Sequence, residues 1–517
     1  MLVILLFAGI RYRLRSMPLE RDEGEYAYTG QLILQGIAPY KLAYTMKLPG
    51  TAAAYAVILG AFGQTPAGIH VGLLLVNALT SLLVFFLASR LFGLLAGAVA
   101  CASYALMSAN PLGLGMAGHA SHFVVLPAMI GVLLLLDAID SNRKSLFFGS
   151  GLLLGLAFVM KQPGLLFLGF GLVYLLLIKL RRPVQWKELR ETVALFVAGG
   201  ILPFAVTCLV MWKAGVFREF WFWTFVYTRQ YASKLSPAQG LVLLKVLLPN
   251  VVGPMVWIWA IAGLGLTAFA WCSRARLQWV FVSLLLLFSM LAVAPGFYFR
   301  EHYFILMLPA LSILAGMFVS CATQRLWDWK QSVVLCGLPI VLFLAAFGYS
   351  IYGQREFFFR MTPVAAVRAI YGPNPFPEAL EVARYVDSHT PKGAPLAIVG
   401  SEPEIYFYSG RPSATGYIYT YEMMVPHGYA PRMQSEMIAE IEKARPEMLI
   451  YVDVPLSWLP EAGSDTYIFD WFKSYVEKNY RLVAVDNGAH PSTGVDTKGI
   501  SRPLTTWNIY IFKRKAS

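Results

Sequence analysis

Charged residues are scarce in this chain: they make up 14% of its 517 residues, whereas hydrophobic residues make up 57%. With a mean hydropathy of +0.59, the composition excludes an ordinary soluble protein and indicates repeated membrane spans. Acidic residues are rarer than basic ones, which leaves a net charge of +13. Because the Lys and Arg residues lie mostly in short clusters between apolar runs, as in the loops of a polytopic membrane protein, no nucleic-acid partner is expected.

Cysteine is also scarce. All five cysteines lie in or at the ends of apolar segments, so their spacing predicts neither a disulfide framework nor a Cys-ligated zinc site. We interpret them as small core residues; they are Cys101, Cys208, Cys272, Cys321 and Cys336.

Apolar runs predict about eleven transmembrane helices of roughly 20 residues each. The N-terminal run, 1–10, is shorter than that, so we expect either that the numbered start lies inside the first helix or that Arg11, Arg13 and Arg15 extend from its end to the interface. The segment 51–63 is also short and is expected to lie along the interface or to re-enter. The other predicted spans are 69–89, 94–109, 122–139, 146–160, 164–179, 192–212, 243–271, 279–295, 303–322 and 331–351.

Basic residues predict the orientation of these spans. If residue 11 follows a span that starts in the cytoplasm, the later basic clusters all fall in cytoplasmic loops, as the positive-inside rule requires. The acidic segment 22–25 and the chain after about residue 355 then lie outside the cytoplasm. We expect a multi-pass protein of the inner (plasma) membrane with an outward-facing ionic site; the basic clusters are at 90, 143–144, 179–190, 274–276 and 325–330.

The composition changes after residue 355. A proline-rich linker is followed by helical patterns that alternate with short β-patterns, which predicts an extracytoplasmic α/β domain over 356–517 after a transmembrane domain over 1–355. This C-terminal segment contains no Gly-x-Gly-x-x-Gly and no Gly-Lys-Ser/Thr pattern, so nucleotide chemistry is not expected there. The predicted helices are 377–389, one starting near 402, 433–444 and 467–479, and the predicted strands are 395–399, 448–452, 481–486 and 506–513.

The ionic stretch 21–26, in the outer loop 11–68, is the first candidate site. A helix there places Asp22 and Glu25 on one face at i,i+3 and turns Glu23 away. A carboxylate at the membrane rim can accept a proton from a substrate hydroxyl. The alternative is that these acids only start an interfacial helix and complement its dipole.

Two Lys-x-Pro-Gly turns begin at Lys47 and Lys161. A lysine beside a leaving oxygen can neutralise a phosphate, although a single interfacial lysine that extends to water is the simpler interpretation. Arg300 can hold a phosphate in the same way, or it can form an ion pair with Glu301 where a span begins.

His119 and His122 stand at i,i+3 at the mouth of a span, a spacing that suits a two-histidine metal pair. Hydrogen-bonded interfacial histidines are the alternative. Glu25, Glu301 and His302 are further possible substrate or metal contacts. Nothing in the sequence requires a cofactor. A divalent metal ion is possible, but no sequence feature supports one. The aromatic run 217–231 is predicted to lie in the membrane interface; the alternative is that it lines a sugar or a lipid tail.

These features resemble the membrane glycosyltransferases of the GT-C superfamily. Within it the chain is most similar to the dolichyl-phosphate-mannose protein mannosyltransferase and aminoarabinose transferase branch, glycosyltransferase family 39. The resemblance implies a GT-C-like polytopic α-helical fold with a C-terminal α/β domain. It rests on Asp22-Glu23 after the first span, Lys47-x-Pro49, Arg90-Leu91-Phe92-Gly93, and Tyr298-x-Arg300 before a Leu-Pro-Ala span.

The resemblance implies an inverting transfer of one sugar from a polyprenyl-phosphate donor to a hydroxyl of a lipid, glycan or protein of the cell envelope. Membrane lipids would surround the reaction, and the acceptor is unknown. Asp22 would be the general base with Glu23 beside it, and Lys47 would bind the donor phosphate, with Lys161 and Arg300 as further cations.

One segment departs from many relatives, which carry a second acidic residue before the span near His122. This chain has Gly118-His119-Ala120-Ser121-His122 there. A two-acid scheme and a metal requirement therefore do not carry over from them.

Two other classes remain alternatives: a flippase or transporter of polyprenyl-linked glycans, and an O-antigen polymerase or ligase. Transporters place polar groups near the bilayer midplane, whereas here the ionic residues map to one rim, with Lys245 as the main exception. A polymerase or ligase typically has a large outer loop rich in Arg and His, which is missing. A transferase at the membrane surface is favoured.

Overall fold

The computed structural model describes residues 1–181, 185–487, 495 and 507–516. Within these residues, seven helical stretches are long and apolar enough to cross a membrane: Pro66–Phe92, Ala120–Ser141, Gln162–Leu180, Trp186–Lys213, Pro237–Trp271, Glu301–Asp328 and Val333–Gly353. Four shorter apolar helices are Gly50–Phe62, Leu94–Met107, Lys144–Met160 and Trp279–Val293. The chain is a multi-pass membrane protein, and the predicted helical fold class is confirmed.

The membrane part of the chain contains eighteen α-helices among the described residues. They are α1 (Leu2–Arg13), α2 (Arg21–Leu34), α3 (Gly50–Phe62), α4 (Pro66–Phe92), α5 (Leu94–Met107), α6 (Ala120–Ser141), α7 (Lys144–Met160), α8 (Leu165–Leu180), α9 (Trp186–Lys213), α10 (Phe217–Trp221), α11 (Thr228–Ala232), α12 (Pro237–Val252), α13 (Val256–Gly265), α14 (Ala268–Trp271), α15 (Ser273–Leu277), α16 (Trp279–Val293), α17 (Leu308–Asp328) and α18 (Val333–Gly353).

Each predicted span overlaps one of these helices, but one predicted span is divided. The span predicted over 243–271 breaks at a 3-10 turn, Gly253–Met255. Pro254 has no N–H group with which to continue the helical hydrogen-bond ladder, so the chain bends there.

The C-terminal part is an α/β unit with helices α19 (Pro363–Tyr371), α20 (Phe376–His389), α21 (Pro403–Ser409), α22 (Tyr421–Met424), α23 (Ala430–Ala444), α24 (Pro455–Trp458) and α25 (Tyr467–Asn479). Its strands β1 (Leu396–Val399), β2 (Met448–Asp453), β3 (Tyr480–Asn487) and β4 (Asn508–Arg514) form one sheet in the order β1-β2-β4-β3. The β1–β2 pair is parallel, with Leu396 opposite Met448, and the other two pairs are antiparallel. The predicted basic loop at 179–190 and the predicted strand at 506–513 include positions 182–184 and 506, which lie outside the described residues.

Helix α2 lies between the membrane helices and the α/β unit. Tyr28 stacks on Tyr406 with ring centroids 5.2 Å apart, and its hydroxyl accepts a hydrogen bond from the Ser413 N–H at 2.7 Å. Gly24 allows a close approach to α21, because a Cβ added there would lie 2.7 Å from the Glu404 nitrogen. The α/β unit therefore covers the segment that carries the predicted acids.

Two expectations are corrected by the packing. Cys272 and Cys321 form a disulfide, with Cα atoms 6.1 Å apart. They are 49 residues apart in sequence and meet because α14 packs on α17.

The aromatic run 217–231 does not lie only in the membrane interface, as it was predicted to. Trp223 stacks on Tyr44 at 5.6 Å and is 4% exposed, within a core shared with the α/β unit.

Candidate active site

The first turn of α2 is fixed by the carboxylate of Glu20, which accepts hydrogen bonds from the N–H groups of Asp22 (2.9 Å) and Glu23 (2.8 Å). The Glu23 carboxylate returns the contact to the Glu20 N–H at 3.4 Å, which completes a capping box. Because the helix starts at Arg21, Asp22 and Glu25 share one face, as predicted.

Lys47 bridges these two carboxylates. Its Nζ donates to Asp22 Oδ1 at 2.8 Å and to Glu25 Oε2 at 2.7 Å. The Tyr419 hydroxyl also donates to Asp22 Oδ1, at 3.0 Å. Asp22 and Lys47 are each 23% exposed at the side chain, so the pair is reachable from the neighbouring cavity. The predicted base and the predicted phosphate-binding lysine are therefore in direct contact.

The ion pair controls the charge of both partners. Burial raises the pKa of Asp22, but the Lys47 ammonium and His119 outweigh it and hold that pKa well below its usual value. Burial lowers the pKa of Lys47, whereas Asp22 and Glu25 raise it well above its usual value. Burial and the Asp22 charge raise the pKa of Glu25 despite the opposing effect of Lys47. At neutral pH, Asp22 is therefore the negatively charged partner of Lys47.

The two Lys-x-Pro-Gly turns interlock. Thr51 Oγ1 donates to the Met160 carbonyl at 2.8 Å, and Gln162 Nε2 donates to the Met46 carbonyl at 2.8 Å. Gly50 permits this contact, since a Cβ added there would lie 2.5 Å from the Val159 carbonyl oxygen. The repeated motif therefore brings two lysines from distant parts of the chain to one place.

Lys161 and Arg300 have no carboxylate partner among the described ion pairs. Lys161 Nζ lies 4.0 Å from the centre of the Tyr303 ring, a cation–π contact. Burial lowers the pKa of Lys161, Asp22 raises it, and Lys47 and Arg300 lower it, so that it is about 7. Arg300 is exposed to the cavity that both residues line.

The cavity has a volume of about 290 Å³. The membrane part contributes the predicted residues Asp22, Glu25, Lys47, Lys161, Arg300 and His302, and the α/β unit contributes Tyr419, Tyr421, Glu422, Val425, Leu459 and Glu461. With Lys234, which also lines it and pairs with Glu461, the cavity combines four carboxyl groups, four basic side chains and several tyrosine rings in a concave site between the two parts of the chain.

Glu23 lies on the other side of α2. Its Oε1 accepts a hydrogen bond from the Gly118 N–H at 2.5 Å and lies 3.0 Å from His70 Nε2. Glu23 is 2% exposed and does not line the cavity. It positions α2 against the loop before α6 and does not touch the space in which a substrate would lie, so the structure does not place it among the reacting groups.

The predicted pairing of His119 with His122 is wrong. His119 stacks on His302 instead, with ring centroids 4.1 Å apart and planes 8° apart, and its Nδ1 lies 3.6 Å from Asp22 Oδ2. His122 is turned into the helix packing, where neither ring nitrogen has a hydrogen-bond partner among the described residues. His119 is the N-cap residue of α6 and faces the acids, whereas His122 lies in the first turn of that helix.

Asp22, His119 and His302 bring one donor atom each within 4.8 Å of the others. Imidazole lone pairs lie in the ring plane, and the two rings are stacked nearly parallel, so their nitrogens do not converge on one ion. As placed, these residues do not fit a three-ligand metal site, and no metal step is derived from them.

Glu301 lies outside the cavity lining and accepts a hydrogen bond from Asn250 Nδ2 at 3.1 Å. It does not pair with Arg300 in the described ion pairs; the Arg300 guanidinium instead interacts with the Tyr231 side chain and lies 5.8 Å from the centre of the Tyr298 ring. Several site residues escaped the sequence prediction. Glu20 directly precedes the ionic stretch and Tyr227 lies in the aromatic run 217–231, so both had a signal in the sequence. Tyr419, Tyr421 and Glu422 lie in segments with no chemical motif.

Comparison with known proteins adds three findings. Residues 47–212, less than half of the chain, match the dolichyl-phosphate-mannose-protein mannosyltransferase family. No curated protein matches. The structure of ArnT from Cupriavidus metallidurans bound to undecaprenyl phosphate is similar with a TM-score of 0.63 and 14% identity, over 99% of this chain and 96% of that one.

A second similar structure is the oligosaccharyltransferase AglB from Archaeoglobus fulgidus, in complex with an inhibitory peptide and a dolichol-phosphate. It has a TM-score of 0.54 and 11% identity, over 97% of this chain and 74% of that one. The apo structure of ArnT gives a TM-score of 0.62. The resemblance to the GT-C superfamily is thereby confirmed: the chain has the GT-C fold, and residues 47–212 carry the pattern of the dolichyl-phosphate-mannose-protein mannosyltransferase family.

Proposed function

We propose that this protein is an inverting glycosyltransferase that moves one sugar from a polyprenyl phosphate to a hydroxyl acceptor at the extracytoplasmic face of the inner membrane. The observation that carries the proposal is the Asp22–Lys47 ion pair, at 2.8 Å, in one cavity with the unpaired cations Lys161 and Arg300. A single displacement needs a base for the acceptor oxygen and positive charge for the departing phosphate.

Lys161 and Arg300 are the better candidates for the donor phosphate in the resting protein. Neither has a carboxylate partner, whereas Lys47 is neutralised by Asp22 and Glu25. A phosphate placed between them would regain the electrostatic stabilisation that the two cations lack. Lys47 can then turn from Asp22 towards the phosphate as negative charge develops on the leaving oxygen.

Asp22 is the proposed base. Its low pKa suits a late proton transfer: the acceptor hydroxyl becomes strongly acidic once its oxygen bonds to the anomeric carbon, and a weakly basic carboxylate then accepts the proton. The glycosidic bond forms while the bond from the anomeric carbon to the phosphate oxygen breaks. The phosphate leaves as an anion, so no general acid is needed.

The extracytoplasmic location is supported by the charge distribution. Arg90 pairs with Asp137 and Asp140, and Lys144 pairs with Glu191, at the helix ends away from the cavity. By the positive-inside rule that end faces the cytoplasm, and the cavity and the α/β unit face the other side. ArnT and AglB, which share the fold, are known in complex with undecaprenyl phosphate and dolichol-phosphate, respectively.

The proposal is tested with purified protein in proteoliposomes that contain undecaprenyl phosphates carrying different single sugars. We expect bare undecaprenyl phosphate and a glycosylated acceptor as products, and in cells lacking the protein we expect a polyprenyl monophosphate sugar to accumulate, as measured by mass spectrometry. Movement of the lipid-linked sugar between leaflets without a new glycosidic linkage would instead show a flippase and would contradict the proposal.

A further inference from the structure

The cavity contains a polar pair, one residue from the α/β unit and one from the membrane part, that the proposed chemistry does not use. Glu422 on α22 is 9% exposed, and its Oε2 has no hydrogen-bond partner among the residues that the structure describes. Tyr227, from the membrane part, is 1% exposed, and its hydroxyl also lacks a hydrogen-bond partner within the described part of the chain. Both residues line the cavity. Buried polar groups without partners cost free energy, so a ligand that satisfies both would gain from binding there.

The backbone around Glu422 holds its side chain at the cavity. His427 Nε2 contacts the Glu422 carbonyl oxygen at 2.8 Å, and the His427 ring packs edge-on against Tyr227 with centroids 5.4 Å apart. One short loop thus fixes both members of the pair. Their position is built into the contact between the two parts of the chain.

Glu422 lies within electrostatic reach of the reacting groups. Burial raises its pKa, a hydrogen bond from its own backbone lowers it, Glu25 and Asp22 raise it and Lys47 lowers it, so that the pKa is about 8. At neutral pH most of this carboxyl group is therefore protonated, so that it can both donate and accept a hydrogen bond. Neutral hydroxyl groups match such a carboxyl, whereas a phosphate suits the opposite side of the cavity, where Lys161 and Arg300 lie.

We propose that Glu422 and Tyr227 hydrogen-bond to hydroxyl groups of the sugar carried by the polyprenyl-phosphate donor, an assignment that rests on the proposed function. A donor phosphate at Lys161 and Arg300 leaves its sugar ring to extend past Asp22 towards the α/β unit. Tyr419 and Tyr421 provide aromatic faces beside that path. The subsite determines which sugar is accepted, and it takes no direct part in proton transfer.

The test compares two ligands on the purified full-length protein: bare undecaprenyl phosphate and undecaprenyl phosphates that carry mannose, glucose, galactose or 4-amino-4-deoxyarabinose. The variants are Glu422→Leu, Glu422→Gln and Tyr227→Phe. Glu477→Gln and Tyr349→Phe are matched controls, since both residues are exposed and distant from the cavity lining. Dissociation constants are measured by native mass spectrometry.

We expect wild type to bind at least one glycosylated lipid more tightly than the bare one. Glu422→Leu and Tyr227→Phe should each weaken the binding of that glycosylated lipid about tenfold and leave the binding of the bare lipid unchanged. Glu422→Gln should lose less affinity, because an amide still donates and accepts a hydrogen bond. Equal losses for both lipids, no loss, an effect on the acceptor KM alone, or no preference of the wild type for a glycosylated lipid would each overturn the subsite. Failure of the proposed function would give a different result: Lys161→Ala would bind bare undecaprenyl phosphate as tightly as the wild type does.

Discussion

At the scale of single residues, the site depends on which cations are neutralised before a ligand arrives. Lys47 contacts two carboxylates at 2.8 and 2.7 Å, whereas Lys161 lies against the Tyr303 ring and has no carboxylate partner among the described ion pairs. Two lysines in the same sequence motif therefore have different charge states near neutral pH. Sequence alone could not separate them, because the difference arises from partners on α2.

The pKa of Lys161, about 7, predicts a pH-dependent donor affinity. Below pH 7 the side chain is a cation, and above it the neutral amine no longer attracts the donor phosphodiester, whose single charge does not titrate there. We expect the affinity of the full-length protein for an undecaprenyl-phosphate sugar to fall by up to about tenfold per pH unit above pH 7. Binding titrations between pH 6 and 9 measure it.

Lys161→Arg is the matched control, because arginine stays protonated over this range. Its affinity should be nearly independent of pH between 7 and 9. A decline as steep as that of the wild type would show that another group, such as His119, is responsible and would remove Lys161 from the phosphate site.

The i,i+3 spacing in 21–26 correctly predicted that Asp22 and Glu25 share a face and that Glu23 points away. The acid–lysine contact depends on a turn 25 residues later, and the motif resemblance rather than the spacing indicated it. Tyr419 and Glu422 could not be found, since nearly 400 residues separate them from Asp22 and no local pattern marks them.

At the scale of elements, the site is held by contacts between turns. Gly50 begins α3 against the end of α7, where a Cβ would lie 2.5 Å from the Val159 carbonyl oxygen. Backbone cannot yield as a flexible side chain can, so the two Lys-x-Pro-Gly turns would have to separate.

Gly50→Ala is therefore expected to destabilise the protein by about 1–3 kcal/mol and to lower donor turnover as Lys161 moves from Lys47. Thermal unfolding in detergent and the transfer assay measure the two effects. Gly60→Ala, in the same helix, is the control: its Cβ would meet only Leu34 Cδ2, at 3.8 Å. Similar behaviour of the two variants would contradict the role given to the turn contact.

Elements were more predictable from sequence than their contacts. The predicted helix 467–479 coincides with α25, and the predicted β-runs near 395 and 448 overlap β1 and β2, because apolar periodicity directly reports which face is buried. The 3-10 turn Glu301–Met307 before α17 was missed. Its sequence is apolar and aromatic like the helix it precedes, so composition does not distinguish them.

At the scale of the whole molecule, a buried ion pair joins the membrane part to the α/β unit. Arg21 Nη2 contacts Glu402 Oε1 at 2.9 Å, and the two side chains are 8% and 0% exposed. Ser457 Oγ donates to the other carboxylate oxygen at 2.7 Å. Because Arg21 directly precedes Asp22, this pair connects the position of the base to that of the lining tyrosines.

Arg21→Ala should cost about 3–5 kcal/mol, since it leaves the Glu402 charge buried without its cation, and it should raise the KM for the donor as the cavity loosens. Thermal unfolding and steady-state kinetics test this. Arg384→Ala is the control, because Arg384 pairs with Glu381 at an exposed position and little should change. A tolerated Arg21→Ala would show that the α/β unit is held by other contacts.

The central claim is that Asp22 accepts the proton of the attacking hydroxyl, and the most direct test is the transfer rate of Asp22→Asn in proteoliposomes, measured alongside donor binding. The Lys47 ammonium keeps Glu25 as a partner at 2.7 Å, so the variant should fold. We predict a rate at least about 100-fold lower with donor binding retained, while Asp470→Asn, at an exposed position, transfers normally. Transfer by Asp22→Asn at close to the wild-type rate would contradict the account.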